Sequence, residues 1–360
     1  MLTYIVYYAF SSSLLCLSFA KSRLISRLLF FLFFLTLALF SGLRGTVGQD
    51  TYNYQLLYEM FGRDGFLSIL SSLSSEPLFV FLSVLHYSIF ESFFLFVLFI
   101  SFLQVILLAY ATKGLYYRRM FLLIYCLIFL LEYHMNAIRV GLAISFFLCY
   151  LSDRGKKRRI YFLVASLLTH YSLLILAPVV FFREVDNAKI SPKKILAYLL
   201  FSFLSFLVVY LSAGNYIAQK IDAYDLFTLK FSGISTVASL FLIMGMSLLL
   251  VERELQKDCF VIVLLFSFVY FLSPFHEIVY RFVKVLIPVL LFLAMDKKII
   301  SLENMKTKPR LFYVAILSLW FSLDAWMFAI NESQIRAESG RGSQTYLYIP
   351  YEIYDFNKLN

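Results

Sequence analysis

The sequence predicts an all-α polytopic membrane protein. Three observations predict it. Of 360 residues, 61% are hydrophobic and 15% charged, where a soluble domain sits near half and a quarter. Apolar stretches close to the length of a membrane-crossing helix recur along the whole chain. The basic residues sit in short runs between those stretches, as orientation signals do. That placement argues against nucleic acid as the reason for the net charge of +10. The four cysteines lie in or beside apolar segments with no paired or metal-ligand spacing, so they read as packing residues.

Spans fall near 2–20, 24–42, 91–112, 119–133, 136–151, 195–212, 234–251, 259–273, 279–295 and 311–330. The first, Leu2 to Ala20, has no basic region ahead of it and no convincing cleavage site. It reads as a span rather than a removable signal peptide. Two segments are less regular. Pro77 to Phe90 is short and carries His86, and 160–182 is interrupted by Thr169, His170 and Pro178.

The loops set the orientation. If both irregular segments are re-entrant, the basic loops fall on one side, with 22 Lys and Arg inside and 9 outside. The expectation is therefore 10–12 transmembrane elements: ten full spans, two half-depth elements and both termini outside. They form a single membrane domain over 1–360, with outer loops at 43–76 and 213–233 and an outer tail at 331–360. Irregular backbone at membrane depth is tolerated only beside protein or a water-filled cavity, so these segments point to a cavity open to the outside.

The remaining charged and polar residues gather on that outer side. The first outer loop carries Gly42, Arg44, Gly48, Asp50, Tyr52 and Tyr54, and Glu76 stands just before Pro77. A second turn carries His134, Asn136, Arg139 and Gly141, and a third carries His276, Glu277, Tyr280 and Arg281, with Lys284 one helical turn on. Charge at this depth is a functional hypothesis by default. Snorkelling accounts for single arginines but not for glycine-rich turns beside them. Arginine forks match phosphate oxygens, so Arg44, Arg139, Arg281 and Lys284 suggest a phosphate or pyrophosphate site. His170 reads either as a buried histidine bonded to backbone or Thr169, or as a general base. For Asp222 and Asp225 simple solvation suffices. The histidines show no metal spacing, and no nucleotide-binding glycine loop is present.

Gly42, Arg44, Val47, Gly48, Asp50, Tyr52 and Tyr54 closely resemble the N-terminal signature of the EpsG family, the Wzy-like group of bacterial exopolysaccharide, capsule and O-antigen polymerases. Later pieces agree in kind and order: Glu76 and Pro77; Asn136, Ile138, Arg139 and Ala143; Ala165, Ser166, His170 and Ser172; and Tyr280 with Arg281. Val140 departs from the family, which often has a polar residue there. The resemblance implies a GT-C-type glycosyltransferase in the bacterial cytoplasmic membrane, with its site facing the periplasm or cell exterior. It would join oligosaccharide repeat units carried on undecaprenyl pyrophosphate, with the bilayer and a chain-length regulator as partners and no cofactor or metal. On that reading Arg44, Arg139, Arg281 and Lys284 hold the pyrophosphate. His170, Asp50 and Glu76 are the catalytic candidates, and Tyr52, Tyr54 and Asn136 meet sugar. A lipid-linked glycan ligase and a non-enzymatic flippase are the competing readings. The short loop at 213–233 disfavours the ligase, and the lack of evident inverted repeats disfavours the flippase.

Overall fold

The computed structural model describes residues 2–18, 22–71 except 46 and 49, 76–176 except 116 and 154, and a few positions between 180 and 295. Among the described residues the fold is helical and has no strand. The helices are α1 (Leu2–Leu17), α2 (Arg23–Gly42), α3 (Thr51–Asp64), α4 (Phe66–Ser71), α5 (Pro77–Phe90), α6 (Phe93–Thr112), α7 (Arg118–Phe129), α8 (Ile138–Ser152) and α9 (Lys156–Thr169). A π-helical turn, Leu130–His134, follows α7, and a 3₁₀ turn, Tyr171–Leu176, follows α9. The predicted spans near 195–212, 234–251, 259–273 and 311–330, the loop at 213–233 and the tail lie outside the described residues.

Among the described residues two helices, α2 and α6, are long and apolar enough to cross a membrane. Neither holds an interior Gly or Pro, so nothing breaks them across 20 residues each. Helix α5 starts where Pro77 occupies a first-turn position that needs no N–H, and it stops at Glu91, whose φ of 51° is left-handed. Its 14 residues make a rod of about 21 Å, shorter than the ~30 Å hydrocarbon core. Helix α7 is shorter than the span predicted over 119–133. It ends at Phe129, and the chain widens into the π turn.

The helices run alternately. Tyr4 and Tyr7 of α1 pack on Phe40 near the far end of α2. At the other end Arg119 bonds Ser18 Oγ at 2.8 Å and the Ser18 carbonyl at 2.7 Å, closing the α1–α2 turn. Arg118 lies 4.3 Å from the Phe30 ring of α2. Tyr110 donates to Asp153, tying the end of α6 to the end of α8. Arg23, Arg27, Lys113, Arg118, Arg119, Lys157, Arg158 and Arg159 therefore share one end of the bundle, as the loop assignment expects for these three turns. At the opposite end α3 and α5 pack over α6. The Phe96 ring sits between Phe79 and His86, two turns apart on α5, and stacks on Tyr58 of α3. Tyr58 and His86 share a 2.9 Å hydrogen bond inside this aromatic core.

Candidate active site

Glu76 is the centre of the site. It precedes α5 in extended conformation, and its residue surface is 4% exposed. One carboxylate oxygen takes a 2.7 Å ion pair from Arg139 Nη1, at the start of α8. The other lies 2.7 Å from Nδ1 of His170, where α9 ends. Three segments separated by 63 and 94 residues thus converge on one carboxylate. A carboxylate only accepts, so His170 donates through Nδ1 in this bond. Burial by itself pushes the Glu76 carboxyl up. The Arg139 guanidinium and the His170 bond outweigh it and hold the carboxyl at about 2. The His170 side chain keeps 22% exposure and that of Arg139 16%.

The start of α8 is placed by a broken backbone. In the π turn Met135 N–H bonds back to the Leu130 carbonyl and Ala137 N–H to Glu132. Other carbonyls of this connection are covered from outside it. Gln104, in the middle of apolar α6, donates to the Ile138 carbonyl at 2.8 Å and reaches that of Tyr133 at 3.5 Å. Arg44 donates to the His134 carbonyl and, at 3.1 Å, to that of Ser41. Backbone polar groups at membrane depth need such partners. Gly141 is required here, since a Cβ would stand 2.1 Å from the Tyr133 carbonyl oxygen. Gly48, at φ +100°, brings its backbone against the Met135 carbonyl, where a Cβ would sit at 2.2 Å. Asp50 N–H donates to Asn136 Oδ1 at 2.8 Å. So Arg44, Gly48 and Asp50 meet His134, Met135 and Asn136 in register, and the two sequence motifs form one unit.

This geometry sorts the predicted residues. Glu76, Arg139 and His170 come together. Arg44 is fully enclosed, with its guanidinium on two carbonyls. Tyr54 is also buried. Its ring and that of Phe79 lie 5.3 and 5.7 Å from the Arg139 guanidinium carbon. Burial is the largest influence on the Tyr54 phenol and pushes it up; Asp50 and Glu76 push the same way, against Arg139. Tyr52 is half-buried. Asp50 is half-buried at the start of α3, and its carboxylate makes no side-chain capping bond there. Asn136 turns its oxygen to backbone. Glycines that read as room for a ligand instead admit neighbouring backbone. Arg281 and Lys284 lie outside the described residues. Gln104 is not among the predicted residues, although a lone amide in a helix as apolar as α6 is its signal. Among the described residues no group of three His, Cys, Asp or Glu could hold a metal.

The fold and these polar contacts define a helical membrane protein whose one end encloses an Arg–Glu–His cluster. The chain belongs to the EpsG family, whose model matches residues 27–352. It is also similar to the amylovoran biosynthesis protein AmsC of Erwinia amylovora, 29% identical over an alignment of 182 residues that covers 46% of this chain and 47% of that protein. The chain thus spans about half the length of this curated relative. No solved structure matches.

Proposed function

We propose that the chain is a polysaccharide polymerase, a GT-C-type glycosyltransferase that joins oligosaccharide repeat units carried on undecaprenyl pyrophosphate. The observation that carries this reading is the Glu76 carboxylate shared between Arg139 and His170. A transfer from a lipid pyrophosphate needs a cation where the leaving group gains charge and a base where the acceptor loses a proton. One carboxylate sets both in position. In this mechanism His170 Nε2 takes the proton of the acceptor hydroxyl. The hydroxyl oxygen bonds to the anomeric carbon of the donor sugar, and the bond from that carbon to pyrophosphate breaks. The electron pair leaves with the lipid pyrophosphate, which Arg139 stabilises. Glu76 holds the imidazole through Nδ1 and offsets the imidazolium that forms. Asp50 and Tyr52 orient sugar hydroxyls at the rim, with the Asn136 amide nitrogen. Arg281 and Lys284 complete the cation set, and Arg44 serves it from beneath by fixing the turn before Arg139.

The reading places the protein in the bacterial cytoplasmic membrane, with the site facing the periplasm or cell exterior. The basic turns gather at one end of the bundle and the site lies at the other, which supports that orientation. The half-depth roles of 77–90 and 160–182, and a partner that sets chain length, belong to the same proposal. The test gives purified full-length protein a lipid-linked repeat unit in detergent and follows product length. A ladder is expected, and Arg139→Ala should abolish it while the protein stays inserted and folded. Product on another acceptor alone would make the chain a ligase; no covalent product would make it a transporter. Cysteine labelling at positions 186 and 300 should report the inner side.

A further inference from the structure

The Arg139 guanidinium has a second set of neighbours that the proposed transfer does not use. Its central carbon stands 5.3 Å from the Tyr54 ring and 5.7 Å from that of Phe79. The two ring centroids are 6.0 Å apart and the planes are tilted by 56°. These three distances make a nearly equilateral triangle, so the cation lies against a tilted pair of rings, and the Tyr54 phenol also takes a hydrogen bond from it. Both distances fall within the ~6 Å over which a ring quadrupole attracts a cation, and that attraction strengthens when water is excluded. Water is largely kept from this contact, because Tyr54 is 5% and Phe79 1% exposed and the Arg139 side chain 16%. Phe79 is itself fixed by Phe96 of α6, at 5.6 Å and 70°. Glu76 closes another side at 2.7 Å. An arginine held in this way keeps its fork in one orientation as an anion arrives, and loses less entropy on binding.

We infer that Tyr54 and Phe79 are positioning residues that form an aromatic seat for Arg139, fixing the guanidinium for a pyrophosphate-bearing ligand. The functional part of the inference rests on the proposed role of Arg139. Tyr54 then acts through Arg139 rather than by stacking on sugar, and Phe79 joins the site although nothing polar marks it.

A cation–π contact weakens as fluorine withdraws density from the ring, while fluorination makes the side chain more apolar. Packing and cation–π therefore predict opposite signs. Phe79 in the full-length protein is replaced by phenylalanine carrying one, two or three ring fluorines, and thermal unfolding is measured without ligand. The melting temperature should fall stepwise, by about 3 °C over the series. With Arg139→Met as background the fall should vanish. A flat or rising series, or an equal fall in the Arg139→Met background, overturns the seat. Binding of inorganic pyrophosphate to the same proteins should weaken about tenfold over the series, with Phe79→Trp restoring affinity. Pyrophosphate binding that ignores fluorination overturns the positioning role. Wild-type protein that does not bind pyrophosphate while its melting temperature still follows fluorine count leaves the seat standing and overturns the ligand assigned to Arg139.

Discussion

At the basic end of the bundle, arginines meet carbonyls, hydroxyls and rings; at the opposite end Arg139 meets a buried carboxylate. Arg119 binds Ser18 and Arg118 lies over Phe30, and these contacts close turns. The basic end has a carboxylate as well, Asp153. It accepts from Tyr110 and from Gly155 N–H at 2.6 Å, while Arg158 reaches it from 3.5 Å with a side chain 69% exposed. That carboxylate organises the turn into α9. Asp153 is buried and shared by two helices too. Glu76 differs in that both its partners, Arg139 and His170, stand at 2.7 Å with side chains only 16% and 22% exposed. An arginine and a buried carboxylate meet at both ends, and at the site a histidine joins them. Enclosure of both partners around the carboxylate makes one set a candidate site, and at the other end an exposed cation contributes little.

The largest expected effect removes that difference. Glu76→Ala strands Arg139 and His170 and should cut polymer formation by about 1,000-fold in the ladder assay. Long ladders from this variant would mean that the cluster only holds helices together. His170→Gln keeps a side-chain amide facing Glu76 but lacks a base, and should slow elongation about 100-fold with folding intact. Thermal unfolding comes next. Gln104→Leu leaves the Ile138 and Tyr133 carbonyls without that donor and should cost about 1–3 kcal/mol. A stability equal to wild type would show that those carbonyls need no partner.

Acid titration sharpens the comparison further. The Glu76 carboxyl is held below its ordinary value of 4.5, at about 2. A depressed carboxylate adds stability that is present above the ordinary value and is lost as pH falls toward the depressed one. Wild-type melting temperature should therefore drop between pH 4.5 and 2 by more than that of Glu76→Gln. Parallel curves would show that the ion pair adds nothing. The smallest effect belongs to the basic end: Arg158→Ala should change stability by less than about 1 kcal/mol and leave ladder length unchanged.

Helices α1, α2, α6 and α8 were legible as apolar runs, because a helix in lipid satisfies its own backbone and needs only length and apolarity. The stop at His170 was legible too, from Thr169 and His170 interrupting an apolar run; the helix there ends at Thr169. The early end of α7 was not. Glu132 and His134 sit in the sequence as ordinary span-end polar residues, and only the π geometry shows where the helix widens. Nor was the role of Arg44 legible, since an arginine beside glycines reads the same whether it faces a ligand or a carbonyl.

By itself the sequence determined that this chain lives in a membrane, which end of its helices carries the basic turns, and which family it joins. Those properties are sums over composition or short motifs, and neighbouring residues suffice to express them. The tertiary structure alone decided that Glu76, Arg139 and His170 act on one another, and that Arg44, Gln104, Tyr54 and Phe79 stand behind them. Electrostatic and hydrogen-bonding partnerships depend on distance in space, and here the partners are separated by up to 94 residues of chain.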